Sequence, residues 1–293
     1  MAIAVHQTAI PGVTAVAIDP VTPTTIYAGA LNAVCGGCTP PPLVYKSIDG
    51  GETWSGADAG LPGGTVLQLV IAPSQPTTLY LNANNQIFKS SDGGRSWTGP
   101  PLPPPNVPSF QTIEQLAVDP QDSLTVFYAD YGGSGTVGGV FKTVDGGDNW
   151  TDTQVPMFRP NSVVIDPHNP SHIYTTNGGE FASSTDGGTT WVSEAAPSGL
   201  ETLVADRQNP PALYGSVFAV GVLRSTDAGK TWDSLNNAGL SSPIFSLAVD
   251  ASGTYLYAGT QNAGVFDYEV LISRQRLDRE RPRPPAHQLE PRP

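Results

Sequence analysis

The sequence predicts an all-β chain assembled from six copies of one unit, and three observations carry that expectation. The first is composition. Of 293 residues, 32 are Gly and 29 Pro, a load of turn formers that helix interiors do not tolerate. The 39% hydrophobic content still supplies a core. The second is a repeated turn. "SIDGGETW" (47–54), "SSDGGRSW" (90–97), "TVDGGDNW" (143–150), "STDGGTTW" (184–191) and "STDAGKTW" (225–232) share Ser/Thr-x-Asp-Gly/Ala-Gly-x-Thr/Ser/Asn-Trp. The third is an apolar run that precedes each turn and recurs once more without it.

Taken in order, each unit reads as four strands. "VAIDPVTPTTIYAG" (16–29) holds an apolar first strand ending in Asp-Pro and a second strand carrying a tyrosine. It recurs as "LVIAPSQPTTLYLN", "LAVDPQDSLTVFYAD", "VVIDPHNPSHIYTT", "LVADRQNPPALYGS" and, with no turn following, "LAVDASGTYLYAG" (247–259). The second-strand tyrosines are assigned as Tyr27, Tyr80, Tyr128, Tyr174, Tyr214 and Tyr257. A third strand such as "LVYKS" comes next, then the turn, then a fourth strand starting at the tryptophan. Short strands with Gly-rich turns, recurring every 41 to 53 residues by their turn aspartates, define a single six-bladed β-propeller of four-stranded antiparallel blades.

The turn motif is that of the Asp-box, or BNR repeat, and residues 1–272 resemble Asp-box propellers. That superfamily includes sialidases, xyloglucan-specific glycoside hydrolases, sortilin-type receptors and a photosystem assembly factor. The resemblance is specific for fold and weak for function. Asp49, Asp92, Asp145, Asp186 and Asp227 each lie between a hydroxyl residue and glycines. A carboxylate there accepts bonds from the turn's own amides, while Gly supplies positive φ. Trp54, Trp97, Trp150, Trp191 and Trp232 are then expected to pack between blades. A catalytic carboxylate is needed once and a turn once per blade, so these aspartates are read as structural.

The sixth unit ends at "GVFDYEV" (264–270) without a fourth strand. Trp232 precedes Asp250 by 18 residues, and 18 residues before Asp19 is Met1. Residues 2–8, "AIAVHQT", therefore stand where a fourth strand precedes blade one, and are expected to complete blade six and close the ring. Residues 273–293 are Arg- and Pro-rich and are expected to be a disordered tail outside the fold.

Charge and loops narrow the function. The net charge is −12, with +3 on residues 273–293 and −15 on the rest. An acidic body repels phosphate, which argues against nucleic acid and anionic membrane as partners. No apolar run approaches the roughly 18 residues of a membrane span. "MAIAVHQTAI" lacks the features of a signal peptide, which leaves two alternatives, a cytoplasmic protein or one whose export signal is missing from this sequence, and of these an extracellular or cell-surface location is the expectation. Cys35 and Cys38, in "CGGC", fit a loop disulfide, free thiols, or redox or metal chemistry. No cofactor, no metal site and a monomeric state are expected.

The turns and the Asp-Pro bends fall on one face of the disc, which leaves three long loops on the other: 30–43, 99–111 and 130–139. Long loops on a rigid scaffold carry function, so Phe110, Tyr131, Phe158 and Arg159 are the candidate ligand-binding residues. Five residues before the Asp-Pro position stand Thr14, Leu67, Glu114, Asn161, Glu201 and Phe245. Glu114 and Glu201 form the candidate carboxylate pair for glycoside hydrolysis. What the resemblance implies for a sialidase is a triad of converging arginines, and Arg95, Arg159, Arg207 and Arg224 do not supply one: three of them belong to the turn face. The leading expectation is a non-catalytic binding or scaffold propeller that recognises a glycan, peptide or protein through the loops of blades one to three. The alternative is a glycosidase-like enzyme, or a fragment of one, using the two glutamates.

Overall fold

A computed structural model describes residues 10, 12–31, 41–99, 112–133, 138–208, 210–218, 220–235, 243–250, 252–261 and 263–270. The chain is all-β, with no helix among the described residues, and its six small antiparallel sheets stand in a ring as a six-bladed β-propeller. Blade one holds β1 (Val13–Ile18), β2 (Ile26–Ala30), β3 (Val44–Ser47) and β4 (Ser55–Gly56). Blade two holds β5 (Val66–Ile71), β6 (Leu79–Ala83) and β7 (Gln86–Ser90), with one further bridge from Lys89 to Thr98. Blade three holds β8 (Ile113–Val118), β9 (Val126–Asp130), β10 (Gly139–Thr143) and β11 (Thr151–Asp152). Blade four runs from β12 (Ser162–Ile165) through β13 (Ile173–Thr176) and β14 (Glu180–Ser184) to β15 (Val192–Ala195). Blade five runs from β16 (Leu200–Ala205) through β17 (Leu213–Val217) and β18 (Gly221–Ser225) to β19 (Asp233–Ser234). Blade six has three described strands, β20 (Ile244–Val249), β21 (Tyr255–Thr260) and β22 (Val265–Glu269). The strand expected over 2–8 and the tail 273–293 lie outside the described residues.

The repeated sequence elements take repeated geometry. Ser47 Oγ donates to Asp49 Oδ1 at 2.7 Å, Asp49 accepts from the Thr53 amide at 2.9 Å, and the Gly51 amide donates to Ser47 Oγ at 2.9 Å. The same net recurs at Asp92, Asp145, Asp186 and Asp227. The turn glycines have positive φ, 77° at Gly50 and 96° at Gly51, which a side chain disfavours. Side-chain hydrogen bonds from Thr53, Ser96, Asn149, Thr190 and Thr231 lead the causes that hold these five carboxyls down to about 2. Four of the five turns also tie to the bend between the first two strands of their own blade, through Gly50 N to Thr24 O, Gly93 N to Thr77 O, Gly146 N to Leu124 O and Gly187 N to Ser171 O. Turns and bends therefore share one face, as the chain direction requires.

The core lies between blades. Tyr27 and Val44 of blade one bury against Val66 and Leu69 of blade two. Tyr80 and Ile87 meet Ile113 and Leu116, Phe127 and Val140 meet Val163, Tyr174 and Phe181 meet Leu200 and Leu203, and Tyr214 and Val222 meet Ile244 and Leu247. Four tryptophans join these layers. Trp97 is buried and donates to Ala57 O of blade one at 2.7 Å, Trp191 donates to Thr153 O of blade three at 3.2 Å, Trp150 packs edge-on to Tyr128, and Trp232 edge-on to Phe181 of blade four. Trp54 instead donates to Gly51 O of its own turn. Blade three departs from the others in register: its second-strand tyrosine, Tyr128, is buried but on the other side of the strand. Opposite Lys142 the register places Phe127, not Tyr128, so Phe127 fills the tyrosine column of blade three. Tyr128 faces the other way and stacks on Phe141 at 4.9 Å.

Candidate functional site

The face opposite the turns carries the candidate site, and the first strands shape its floor. In β1, β5, β8, β16 and β20 the pairing slips near the start, as between Ile113 and Gln115 of β8. A bulge re-aims the residue it expels from the ladder. Leu67, Glu114, Glu201 and Phe245 sit at these slips and are all exposed. Glu114 lies on blade three and Glu201 on blade five, with β12 of blade four packed between their strands.

The charge that acts on Glu114 is that of Asp130. The Glu114 carboxyl is pushed up, first by desolvation and then by that charge. Glu114 keeps exposed surface, yet enough protein surrounds its carboxyl to weaken solvation of the charge. Asp130 ends β9 beside the bulge and is buried. It accepts from the amides of Thr112 at 3.0 Å and Gly132 at 2.8 Å. Burial raises its carboxyl and those two amides oppose the rise.

Next to this pair the connection from blade three to blade four presents Phe158 and Arg159. Val155 and Met157 turn inward to the core while Phe158 is 53% exposed. Arg159 has φ 57°, the left-handed region. The segment is tied down by Asn177 Nδ2, which donates to Phe158 O at 2.9 Å, and by Asn161 N, which donates to Thr176 O at 2.9 Å. The Arg159 guanidinium then lies 5.0 Å from the Tyr131 ring centre and 4.9 Å from that of Phe158. Tyr131 is 40% exposed. The Arg159 Nε is buried and has no hydrogen-bond partner. Two aromatic faces on one cation fix a planar donor fork in place.

Three of the four residues singled out from the loops, Tyr131, Phe158 and Arg159, thus meet in one cluster. Phe110, Cys35 and Cys38 lie outside the described residues. The other arginines stand elsewhere: Arg224 covers the Tyr214 ring at 5.9 Å, Arg95 lies in a turn and Arg207 beside a bend. Among the described residues no group of three or more His, Cys, Asp or Glu is placed to hold a metal ion, and no helix is long and apolar enough to cross a membrane.

A second feature was not anticipated from sequence. A cavity of about 500 Å³ opens on the axis, walled by Val70, Ala117, Val164, Val204 and Ala248 and rimmed by His168 and Arg207. The His168 Nε2 lies 2.6 Å from Arg207 O. The available signal was the apolar column one position before the last in each first strand, which holds only Ala or Val: Ala17, Val70, Ala117, Val164, Val204 and Ala248.

No family model matches the chain. A xyloglucanase of a Paenibacillus species is 24% identical over 140 residues, which cover 46% of this chain and 13% of that protein. The GH74 enzyme of Niastella koreensis superposes with a TM-score of 0.65 at 21% identity, over 88% of this chain and 43% of that one. An ancestral GH74 enzyme gives 0.69 at 19%, over 88% and 36%. YCF48 from Cyanidioschyzon merolae gives 0.61 at 13%, over 90% and 84%, and YCF48 bound to D1 peptide gives 0.58 at 16%, over 88% and 79%. The chain spans well under half the length of these GH74 enzymes. At such identities the likeness establishes the β-propeller fold and no activity.

Proposed function

We propose that this chain is a non-catalytic Asp-box propeller that binds a peptide or protein segment on its loop face. The Tyr131–Arg159–Phe158 stack carries this reading. It is a guanidinium clamped between two exposed rings on a connection that hydrogen bonds hold in shape. The exposed rings offer apolar surface to a ligand, and the guanidinium offers donors to a backbone carbonyl or a carboxylate. A propeller of this fold, YCF48, is solved with a peptide, which supports a peptide over other ligand classes. Glu114 and Asp130 border the stack and give the site a preference for ligands with a donor there.

One observation favours a second reading. Glu114 and Asp130 are neighbouring carboxyls, both raised, and a raised acid next to a second carboxylate is the equipment of a glycosidase. The test is an immobilised peptide array and a glycan array, probed with the wild-type protein and with Arg159→Ala. The expected result is a set of peptide hits lost in the variant. Release of reducing ends from xyloglucan, abolished by Glu114→Gln, would instead establish the enzyme reading.

A further inference from the structure

Five junctions between neighbouring blades are built alike, and the junction from blade six to blade one is not. Val66, Ile113, Leu200 and Ile244 are buried against the preceding blade, as are Leu69, Leu116, Val163, Leu203 and Leu247. The residues at those places in blade one are Val13 and Val16, and Val16 is 59% exposed. On the other side of each junction Tyr27, Tyr80, Phe127, Tyr174 and Tyr214 are buried, as are Val44, Ile87, Val140, Phe181 and Val222. Their counterparts in blade six are Tyr257, 39% exposed, and Val265, 72% exposed. Among the described residues no core cluster joins blades six and one.

The charge pattern changes at the same place. Opposite the ring residue stands a cation in blades one, two, three and five: Lys46, Lys89, Lys142 and Arg224. Lys46 Nζ donates to Gly93 O at 3.0 Å and Lys142 Nζ to Gly187 O at 2.9 Å, each in the turn of the next blade. A methyl placed on Gly93, Gly146 or Gly187 would meet such a lysine, whereas one on Gly50 of blade one would meet nothing within 4 Å. In blade six the residue opposite Tyr257 is Asp267. Blade four, with Ser183 opposite Tyr174, also lacks the cation, but blade six alone puts a negative charge there, and an aspartate cannot donate to a turn carbonyl. Blade six presents Tyr255, Tyr257, Val265 and Asp267 together, an acidic and aromatic surface. Among the described residues Asp267 has no ion pair.

We propose that the arginine-rich segment 273–293 of this chain folds back on the face of blade six that bears Tyr257, Val265 and Asp267, on the side of the seam toward blade one. Guanidinium groups stack on tyrosine faces and pair with carboxylates. The segment holds Arg274, Arg276, Arg279, Arg281, Arg283 and Arg292 and is +3, against an acidic body. Its attachment favours the contact. β22 ends at Glu269, Val270 is buried with its amide on Thr254 O, and Arg274 follows four residues later. Four residues reach about 14 Å, and a short tether gives an effective concentration on the order of millimolar. This proposal is the opposite of the expectation that the segment stands apart from the fold, and the segment lies outside the described residues.

Limited trypsin digestion of the full chain tests it, because Arg274, Arg276 and Arg279 are cleavable and not followed by proline. Cleavage then runs in proportion to the undocked population, so a segment about nine-tenths docked is cut about tenfold more slowly than a free one. Asp267→Arg and Tyr257→Ala should each speed loss of the segment by about tenfold at a temperature where circular dichroism shows both variants folded. Salt at about 1 M, which screens the pairing, should do the same in the wild-type chain and leave a free peptide of residues 273–293 unaffected. Equal cleavage rates in wild type and variants, or a wild-type rate independent of salt, would overturn the proposal. So would a wild-type dimer that Asp267→Arg converts to monomer, since a second copy would then occupy the face.

Discussion

The turn carboxylates have low pKa values because the folded turn offers them donors, and that gives a pH dependence with a defined sign. Asp49, Asp92, Asp145, Asp186 and Asp227 lie near 2 in the fold against an ordinary 3.8. A group with a depressed folded value contributes stability above its unfolded value and loses it as pH falls through the folded one. The melting temperature should hold from neutral pH down to about 5 and fall steeply between about 4 and 2. A decline that begins near pH 6 would assign acid sensitivity to other groups. Glycines give a second contrast at this scale. Gly229 has φ 92° and a methyl there would strike the Phe181 ring, whereas Gly178 has φ 91° and open space. Gly178→Ala should cost the backbone strain alone, about 1–2 kcal/mol, and Gly229→Ala distinctly more. Denaturant unfolding of the two variants checks the order, and equal costs would mean the ring yields freely.

At the scale of elements, the four-stranded unit was legible because its markers lie close together in sequence. The Asp-Gly-Gly turn, the Asp-Pro bend and the apolar runs each rest on local hydrogen bonding and alternation. Register across strands was less so. "TVFYAD" puts Phe127 and Tyr128 side by side, and a one-residue slip exchanges their faces; only the pairing with Lys142 decides between them. The bulges that expel Glu114 and Glu201 were also invisible, since nothing in the residue types marks the slip. Asp145→Ala removes the acceptor for Thr143 Oγ1, the Asn149 amide and the Asn149 side chain. It should lower the melting temperature by several degrees, given about 2–4 °C per kcal/mol for a chain near this size, while peptide affinity of the folded molecules stays unchanged. Lost affinity at an unchanged melting temperature would make that turn a binding element.

At the scale of the whole molecule, fold and site differ in how they are written. Five junctions repeat one pattern, so the ring could be read from repetition. The candidate site draws on one copy each of Tyr131, Phe158 and Arg159, brought together by the positive φ of Arg159 and the bond from Asn177, and neither shows in sequence. Only their place on one face was legible, from strand direction. The strand expected over residues 2–8 would pair with β22 in blade six. Deleting residues 1–9 should therefore lower the melting temperature or cause association through the open edge. A truncated protein that melts as the wild type would remove that strand from the ring.

The central claim is that the loop face binds a peptide through the clamped arginine. It is tested most directly by titrating one labelled peptide, taken from the array hits, into the wild-type chain, Arg159→Ala and Glu201→Gln, with melting temperatures measured alongside. A lost guanidinium contact to a charged or polar group is worth about 1.5–3 kcal/mol, or about 10- to 150-fold in affinity. The account predicts that loss for Arg159→Ala at an unchanged melting temperature, and wild-type affinity for Glu201→Gln. Unchanged affinity in Arg159→Ala would contradict it.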